Sequence, residues 1–228
     1  MRLLLIRHGE SANNAAYAAT GLRTGRVAEP ELTAVGHRQA AALGEALAGG
    51  AVGPVEVLLT SPMLRAVQTA GYLARALSRP VTVCPQAYES GGVYDLDHDS
   101  GVRTAAPCAS FAQLRAHCPD LHFPPGLADP WWSGPHETPP QRLPRARRVL
   151  AELRERYAAT PGLVALVAHQ HFAQHVIAAA LGLPALPALF FTQGNTATTL
   201  LDLRDAAHPV LRWSNGLEHL HPDLRTGC

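Results

Sequence analysis

The chain begins with a short apolar run that ends abruptly in polar residues. Four large aliphatic side chains, Leu3 to Ile6, are followed at once by Arg7, His8 and Gly9. An uninterrupted apolar run of this length is typical of a strand that is covered on both faces in a parallel sheet. Ligands of α/β proteins bind beyond the carboxyl ends of such strands. We therefore expect Arg7 and His8 to lie at the mouth of a binding site, although an isolated histidine usually has no chemical role.

The rest of the chain alternates strand-like and helix-like segments. Strands are predicted over 55–59, 81–84, 163–168, 196–203 and 210–213, and helices over 34–48, 62–78, 138–158 and 171–182. Ser61 and Pro62 are read as the start of the second helix, and residues 11–31 as a loop with at most one helical turn. The alternation predicts a three-layer α/β/α sandwich with a mostly parallel central sheet. Because the segments interleave, we expect one domain over 1–228.

Residues 90–137 lose this periodicity. Pro, Gly, Asp and His dominate, one short helix is predicted near 110–117, and the stretch leads to Trp131 and Trp132. A long irregular insertion in a compact domain is usually functional, so we predict a lid over the site. For the two tryptophans, a role as packing anchors is slightly favoured over substrate contacts.

Composition and charge exclude several classes of protein. Hydrophobic residues make up 47% and charged residues 16% of the chain, which is enough for a buried core and argues against disorder. The formal net charge of +1 provides no global field to attract nucleic acid or an anionic membrane. No apolar stretch approaches the ~20 residues that span a bilayer, and no signal peptide is apparent. We expect a cytoplasmic protein.

Cysteine and histidine spacing gives no sign of a metal site. The four cysteines lack the paired short spacings of a zinc site and are few for a disulfide scaffold, so free thiols are expected. None of the twelve histidines lies in a familiar metal-binding helix motif with an adjacent glutamate. Neither a metal nor another cofactor is therefore expected.

Five stretches of the chain match one known pattern in order. They are Arg7-His8-Gly9-Glu10-Ser11 with Asn14, then Leu32 to Ala40, Ser61 to Ala70, Val164 to His169, and Asn195 to Leu203. Together they resemble the histidine phosphatase superfamily, also called phosphoglycerate mutase-like. The resemblance extends from residue 2 to about residue 203, with a looser middle, and implies phosphoryl-transfer chemistry on that family's fold.

The resemblance implies a phosphate site built around His8. This residue would be the nucleophile that forms a phosphohistidine, in keeping with the reactivity of a neutral imidazole whose unperturbed pKa is about 6.5. Arg7 and Arg65 would clamp the phosphate, because guanidinium groups match phosphate oxygens in a bidentate way. Asn14 and the backbone amide of Gln170 would donate further hydrogen bonds. Singly, Arg7 could instead pair with an acid and Arg65 could lie on a solvated helix face.

The two remaining catalytic candidates are His169 and Glu89. His169 resembles the family's second pocket histidine, which would stabilise charge in the transition state, although it could simply cap its helix. Glu89 follows the third strand, where many members keep a proton donor, but it could also be a surface acid. The family usually has glycine after its second histidine, whereas here Gln170 and His171 follow. Gln170 could narrow the pocket, or His171 could contribute to it, or His171 could be an ordinary surface residue.

Three functions are compatible with these residues. A phosphomonoester hydrolase acting on a small phosphorylated metabolite leads. A phosphoglycerate mutase-type transfer would need additional basic residues beside the phosphate, and no such motif is recognised. A catalytically silent phospho-ligand-binding protein is suggested only by Gln170. The expected partner is a small phosphate ester, without nucleic acid or membrane, and a homodimer is compatible because dimers are common among soluble enzymes.

Overall fold

The computed structural model describes residues 1–22, 25–183 and 191–227. The strands are β1 Arg2–Arg7, β2 Val55–Thr60, β3 Val81–Val83, β4 Tyr94–Leu96, β5 Arg103–Ala105, β6 Leu121–His122, β7 Leu163–Ala168, β8 Thr198–Asp202 and β9 Val210–Gly216. The helices are α1 Ala12–Thr20, α2 Ala34–Ala48, α3 Leu64–Leu77, α4 Phe111–His117, α5 Pro139–Tyr157 and α6 Gln170–Ala180. Short 3₁₀ turns lie at Pro85–Ala87 and Pro222–Leu224.

A seven-stranded sheet runs in the order β6-β3-β2-β7-β1-β8-β9. The pairs among β6, β3, β2, β7 and β1 are parallel, whereas β8 and β9 are antiparallel additions at one side. The apolar runs of β1 and β7 occupy the middle of this sheet, as their lack of polar residues predicts. The mostly parallel sheet is therefore confirmed.

Side chains of β1 alternate between two hydrophobic cores. Leu4 and Ile6 pack into the core that contains the apolar residues of α2 and α3. Leu3 and Leu5 pack into the other core, with α5 and α6. Since neighbouring residues of a strand point to opposite faces, one run of four aliphatics supplies both cores. Helices thus cover both faces of the sheet, which confirms the three-layer sandwich.

Two local predictions near the site are wrong. Residues 12–20 form a full helix, α1, which begins with a capping box between Ser11 and Asn14. None of the residues of α1 is buried, so it has no apolar periodicity by which a helix is recognised from sequence. The second error concerns Ser61, which was expected to start helix α3. The N-cap is Met63, without a side-chain cap bond, and the helix begins at Leu64.

The stretch at 90–137 has more order than its sequence suggests. Strands β4 and β5 form a separate two-stranded antiparallel sheet, and β6 extends the main sheet next to β3. These strands have only two or three residues, too few to show an alternating pattern. Trp131 is buried in the core beside α3, as the packing interpretation predicted.

Two further observations concern the chain as a whole. None of the helices within the described ranges is long and apolar enough to cross a membrane. Cys84, Cys108 and Cys118 have free thiols, while Cys228 lies outside the described residues.

Candidate active site

Two adjacent parallel strands bring the two candidate histidines together. In the register of β1 and β7, Arg7 lies opposite Ala168, and the next residue of each strand is a histidine. The amide of His8 donates to the carbonyl of Ala168 over 3.0 Å, which continues the pairing past the strand ends. The ring centroids of His8 and His169 are 5.2 Å apart. Their proximity is thus a direct result of strand pairing.

Hydrogen bonds define the tautomer of His8. Its Nδ1 lies 2.6 Å from the carbonyl oxygen of Gly9, and since a carbonyl can only accept, Nδ1 carries the proton. Arg65 Nε donates to His8 Nε2 over 3.1 Å, so Nε2 holds the free electron pair. Burial lowers the pKa of His8 well below its ordinary value, helped by the charges of Arg65, His169 and Arg7. The imidazole is therefore neutral and nucleophilic at neutral pH.

The two candidate arginines, Arg7 and Arg65, are both buried near His8. Arg65 is in the first turn of α3, only 8% exposed, so the solvated-face interpretation is wrong. Arg7 donates from Nη1 to the carbonyls of Gln193 and Gly227, the latter over 2.7 Å. Both guanidinium groups line one cavity of about 920 Å³ together with His8. Buried guanidinium groups at a cavity wall are suited to bind an anion.

Asn14 is held by its carbonyl oxygen. Its Oδ1 accepts hydrogen bonds from Ser11 N, Ser11 Oγ and Asn195 Nδ2, over 3.1, 2.9 and 3.2 Å. Asn195 Nδ2 also donates to the carbonyl of His8 over 3.2 Å. Because Oδ1 is occupied, the amide nitrogen of Asn14 is the end that can donate to a ligand in the cavity that this residue lines.

His169 lies behind the cavity rather than on its wall. It is fully buried, and its Nε2 is 2.8 Å from Ser61 Oγ. It occupies the N-cap position of α6, but its side chain makes no cap hydrogen bond, so the capping interpretation is wrong. Burial lowers its pKa well below the ordinary value, and the charge of Arg65 lowers it further. Its Nδ1 is buried without a hydrogen-bond partner among the described residues.

Glu89 lies at the N-terminus of α6. Its carboxylate accepts from the amides of Ser90, Phe172 and His171 over 2.7, 2.9 and 3.2 Å, and His171 Nδ1 is 3.4 Å away. Burial raises the pKa of Glu89, but the hydrogen bond and charge of His171, the charge of His169 and the Ser90 amide outweigh it, so its pKa is well below the usual value. The carboxyl group is ionised when the cavity is empty of substrate, and it is not a free surface acid.

Gln170 also lines the cavity, as does His171. Since the amides of His171 and Phe172 donate to Glu89, the first turn of α6 is already engaged by that carboxylate. Of the alternatives for this departure from the family pattern, the contact of His171 with Glu89 supports a contribution of His171 to the site, while Gln170 is part of the cavity wall.

Several supporting residues were not assigned from sequence. Thr69 Oγ1 accepts from the amide of Gly9 over 3.0 Å. A Cβ at Gly36 would lie 2.1 Å from the carbonyl oxygen of Glu10, so the loop after β1 rests directly on the backbone of α2. Ser61, Thr69, Asn195 and Gly36 all fall within the matched stretches, so their position was the available signal, although their contacts were not.

A second group of basic residues lines the outer part of the cavity. Arg26, Arg103, His136 and Arg142 come from the loop after α1, the β4–β5 hairpin, the stretch before α5, and α5 itself. Sequence analysis missed all four because they lie far apart along the chain. Within the described ranges, no group of three or more His, Cys, Asp or Glu is placed to hold a metal ion.

The sequence and the structure were each compared with known proteins. The family model described as histidine phosphatase superfamily (branch 1) matches residues 3–216. A search of curated protein sequences gave no significant match. Among solved structures, a mycobacterial glucosyl-3-phosphoglycerate phosphatase in complex with VO3 is 25% identical, with a TM-score of 0.63, covering 94% of this chain and 99% of that chain.

Two more solved structures are similar in fold. A putative alpha-ribazole-5'-P phosphatase from Escherichia coli is 24% identical, with a TM-score of 0.64, over 95% of this chain and 98% of that one. A mutant phosphoserine phosphatase from Entamoeba histolytica, in complex with phosphoserine, is 19% identical, with a TM-score of 0.63, over 96% and 99%. With a family model that spans nearly the whole sequence and this site at the ends of β1 and β7, the chain belongs to the histidine phosphatase superfamily and is a phosphatase.

Proposed function

We propose that this phosphatase hydrolyses phosphomonoesters of small metabolites through a phosphohistidine on His8. The observation that carries the proposal is the tautomer of His8: Nδ1 donates to Gly9, so Nε2 is the nitrogen with a free electron pair, and it faces Arg65. A nucleophile next to a buried guanidinium group, in a cavity large enough for a small metabolite, is suited to attack a bound phosphate.

Arg7, Arg65 and Asn14 would hold the phosphate oxygens, with the Gln170 amide as a fourth donor. On substrate binding, Arg65 Nε would exchange its hydrogen bond to His8 Nε2 for one to a phosphate oxygen. The exchange frees the electron pair of Nε2 at the moment when phosphorus comes within reach. Fixed donors of this kind stabilise the charge that develops on the transferred group.

The reaction would proceed in two displacements. In the first, a bond forms between Nε2 and phosphorus, the bond to the ester oxygen breaks, and the leaving alkoxide takes a proton from Glu89. The arriving phosphate dianion would raise the pKa of Glu89, since a nearby like charge disfavours the ionised form, so Glu89 would take up that proton from solvent as the substrate binds. In the second, water gives a proton to Glu89 and attacks phosphorus, the Nε2–phosphorus bond breaks, and inorganic phosphate leaves.

His169 would stabilise the transition state from behind the His8 ring. Its hydrogen bond with Ser61 fixes the ring, and its lowered pKa keeps it neutral before substrate binds. Its other ring nitrogen, Nδ1, is buried and lacks a partner among the described residues. A proton on this nitrogen would be stabilised by the negative charge of a bound phosphate.

The names of the similar structures support a small phosphorylated metabolite. They refer to phosphoserine, glucosyl-3-phosphoglycerate and alpha-ribazole phosphate, which differ widely outside the phosphate. The segment at 90–137 would cover the cavity and help to select among such compounds, since Tyr94, Arg103 and His136 line it. A mutase would return the phosphoryl group to the substrate instead of releasing it.

The test is to trap the intermediate. A substrate labelled at phosphorus, mixed with enzyme and quenched at alkaline pH, should leave acid-labile label on the wild-type protein and release inorganic phosphate. His8→Ala should carry no label and show no turnover while remaining folded. His98→Ala, a change at an exposed histidine outside the cavity, should behave as wild type. Substantial turnover by folded His8→Ala would refute the proposal, and an isomerised ester in place of phosphate would indicate a mutase.

A further inference from the structure

The outer part of the active-site cavity has more positive charge than one phosphate requires. Of the charged residues that line the cavity, five are arginines and one, Glu89, is an acid. The whole chain, by contrast, has a formal charge of only +1. In the proposed function, Arg7 and Arg65 would bind the transferred phosphate. The other three arginines of the cavity lining, Arg26, Arg103 and Arg142, are not needed for that phosphate, and we call them the basic wall.

Tyr94 organises one side of the basic wall. The Arg26 guanidinium lies 4.0 Å from the centroid of the Tyr94 ring and donates to the Tyr94 carbonyl over 2.6 Å. The Arg103 guanidinium is 5.7 Å from the same centroid, and the His136 ring meets that ring edge-on at 4.7 Å. Arg26, Arg103 and His136 are thus held around a single aromatic ring. Because these side chains are already ordered, less conformational entropy would be lost when a ligand binds.

Arg103 and Arg142 have no acidic partner in the described part of the chain. Neither is within ion-pair distance of a carboxylate there, and Arg142 Nε is buried without a hydrogen-bond partner. The acid nearest to Arg142 in sequence, Glu137, is engaged with Arg145 through bonds of 2.5 and 2.7 Å. A buried donor that lacks a partner is costly, so one that lines a cavity is a natural site for a ligand oxygen.

The lowered pKa of His136 is consistent with a positive potential at the basic wall. Burial lowers the pKa of His136 first, and the charges of Arg103 and Arg142 lower it further. Its Nδ1 is also buried without a hydrogen-bond partner among the described residues. Within the described part of the chain, the cavity beyond the proposed phosphate position therefore presents the unpaired Nε donor of Arg142, the buried Nδ1 of His136 and more arginines than acids to the rest of the substrate.

We propose that the basic wall is a second anion subsite, and that the substrate is a phosphomonoester with a further anionic group, either a carboxylate or a second phosphate. This inference rests on the proposed function for the position of the first phosphate. Arg103 and Arg142 bind the second group, and Arg26 supports them through Tyr94. Both anions present the paired oxygens that a guanidinium group binds in a bidentate way.

The test compares two matched pairs of esters. 3-Phosphoglycerate and glycerol 3-phosphate share one carbon skeleton and differ by a carboxylate; fructose 1,6-bisphosphate and fructose 6-phosphate differ by a phosphate. For wild type, we expect kcat/KM to favour the more anionic member of at least one pair by roughly 10- to 100-fold, the range of one or two charge-assisted hydrogen bonds. Arg103→Gln combined with Arg142→Gln should remove most of this preference.

A variant on the same helix serves as the control. Arg148→Gln changes an exposed arginine of α5 that lies outside the cavity, and it should keep the wild-type preference. Preference within the glycerol pair alone identifies a carboxylate, and within the fructose pair alone a second phosphate. Equal kcat/KM within both pairs, or a preference that survives the double substitution, would overturn the subsite.

Equilibrium binding separates this inference from the proposed function. Calorimetry with an inactive His8→Ala protein compares the affinities of the esters without turnover, and if His8→Ala proves active, the kcat/KM values of that variant make the same comparison. The more anionic ester should bind at least tenfold more tightly than its partner, and the double substitution should remove the difference. Equal affinities would refute the subsite whatever the kinetics show. A retained preference together with active His8→Ala would refute only the phosphohistidine route.

Discussion

At the scale of single residues, the proposed mechanism depends on the protonation state of Glu89, because a protonated carboxyl group would be needed to assist the leaving alkoxide. Three backbone amides and His171 hold its carboxylate as an anion before substrate binds. A proton donor must instead be protonated. In the proposed mechanism, the negative charge of the substrate would raise the pKa of Glu89 and so favour the protonated form. In the proposed mechanism Glu89 would therefore combine two tasks, fixing the start of α6 and carrying a proton, which a suitable substitution can separate.

We predict that Glu89→Gln slows hydrolysis of aliphatic phosphate esters by roughly 10²- to 10⁴-fold, the usual contribution of general acid catalysis. Hydrolysis of para-nitrophenyl phosphate should fall far less, because nitrophenolate leaves without protonation. Glutamine retains an oxygen for the amides, so the structure at α6 should persist. The measurement is kcat on both esters.

Asn14→Ala is the matched comparison, since a weakened phosphate contact should slow both esters alike. An equal loss on both esters in Glu89→Gln would argue against the proton donor role. No loss on either would leave Glu89 with a structural task only.

At the scale of secondary-structure elements, the close approach of α2 to the loop after β1 keeps the backbone next to His8 in place. Gly36 lies in the first turn of α2, and Gly9 follows His8. A Cβ at Gly9 would lie 2.6 Å from the carbonyl oxygen of Gly36, and one at Gly36 would meet Glu10 in the same way. Both glycines are required because backbone touches backbone, and backbone atoms cannot turn aside as a side chain does.

We predict that Gly36→Ala destabilises the fold by at least about 2 kcal/mol through overpacking. Helix propensity alone favours alanine by about 1 kcal/mol, so the opposite sign would isolate the backbone contact. Thermal unfolding should show a midpoint lowered by roughly 4–8 °C.

Gly134→Ala is the control, because the nearest atoms to a Cβ at Gly134 are 3.8 Å away, an ordinary contact. Its midpoint should be unchanged. A stabilised Gly36→Ala protein would show that α2 can move away from the loop, and would contradict this account.

The sequence was most informative where one element decides the answer alone. The apolar runs of β1 and β7 predicted central strands, and the residues after them, His8 and His169, meet because those strands pair. Helix α1 was missed because an exposed helix shows no apolar period. Ser61 was read through its local chemistry as a cap, whereas its hydroxyl bonds a histidine 108 residues away.

Contacts between distant segments were beyond the reach of local patterns. The basic wall consists of Arg26, Arg103 and Arg142, which are far apart in the sequence and form no motif. The ionised state of Glu89 depends on amides at the start of α6, more than eighty residues later. Periodicity and capping rules describe near neighbours, and both of these features arise from packing of elements.

At the scale of the whole molecule, buried neutral histidines link stability to pH. Five described histidines have a pKa lowered chiefly by burial: His8, His136, His169, His175 and His219, the last to about 4. Below about pH 6.5 the unfolded chain binds protons that the folded chain refuses, so stability falls as pH falls. From about pH 7.5 upward these groups are neutral in both states and contribute little slope. Carboxyl groups with a lowered pKa, such as Glu89, act in a separate and more acidic window.

We predict that the free energy of unfolding is nearly constant above pH 7.5, begins to fall as the pH approaches 6.5, and falls most steeply between pH 6.5 and 5.5, by up to about 1.4 kcal/mol per pH unit for each such histidine. Urea unfolding at these pH values measures it. The double variant His8→Gln with His169→Gln should show a shallower slope, whatever its absolute stability.

His208→Gln, at a side chain that is 81% exposed, should keep the wild-type slope. A wild-type stability that stays constant down to pH 5.5 would show that these histidines accept protons in the folded state, contrary to their burial.

The independence of the β4–β5 hairpin sheet from the main sheet has a consequence for redesign. The spacing of the His8 and His169 rings follows from hydrogen bonding between β1 and β7, which sets neighbouring strands about 4.8 Å apart, and the hairpin takes no part in that pairing. The hairpin, for its part, makes its pairing within residues 94–105. A library randomised at the exposed hairpin positions, with Tyr94 kept because it holds Arg26, is expected to change substrate preference while retaining the pairing of β1 with β7.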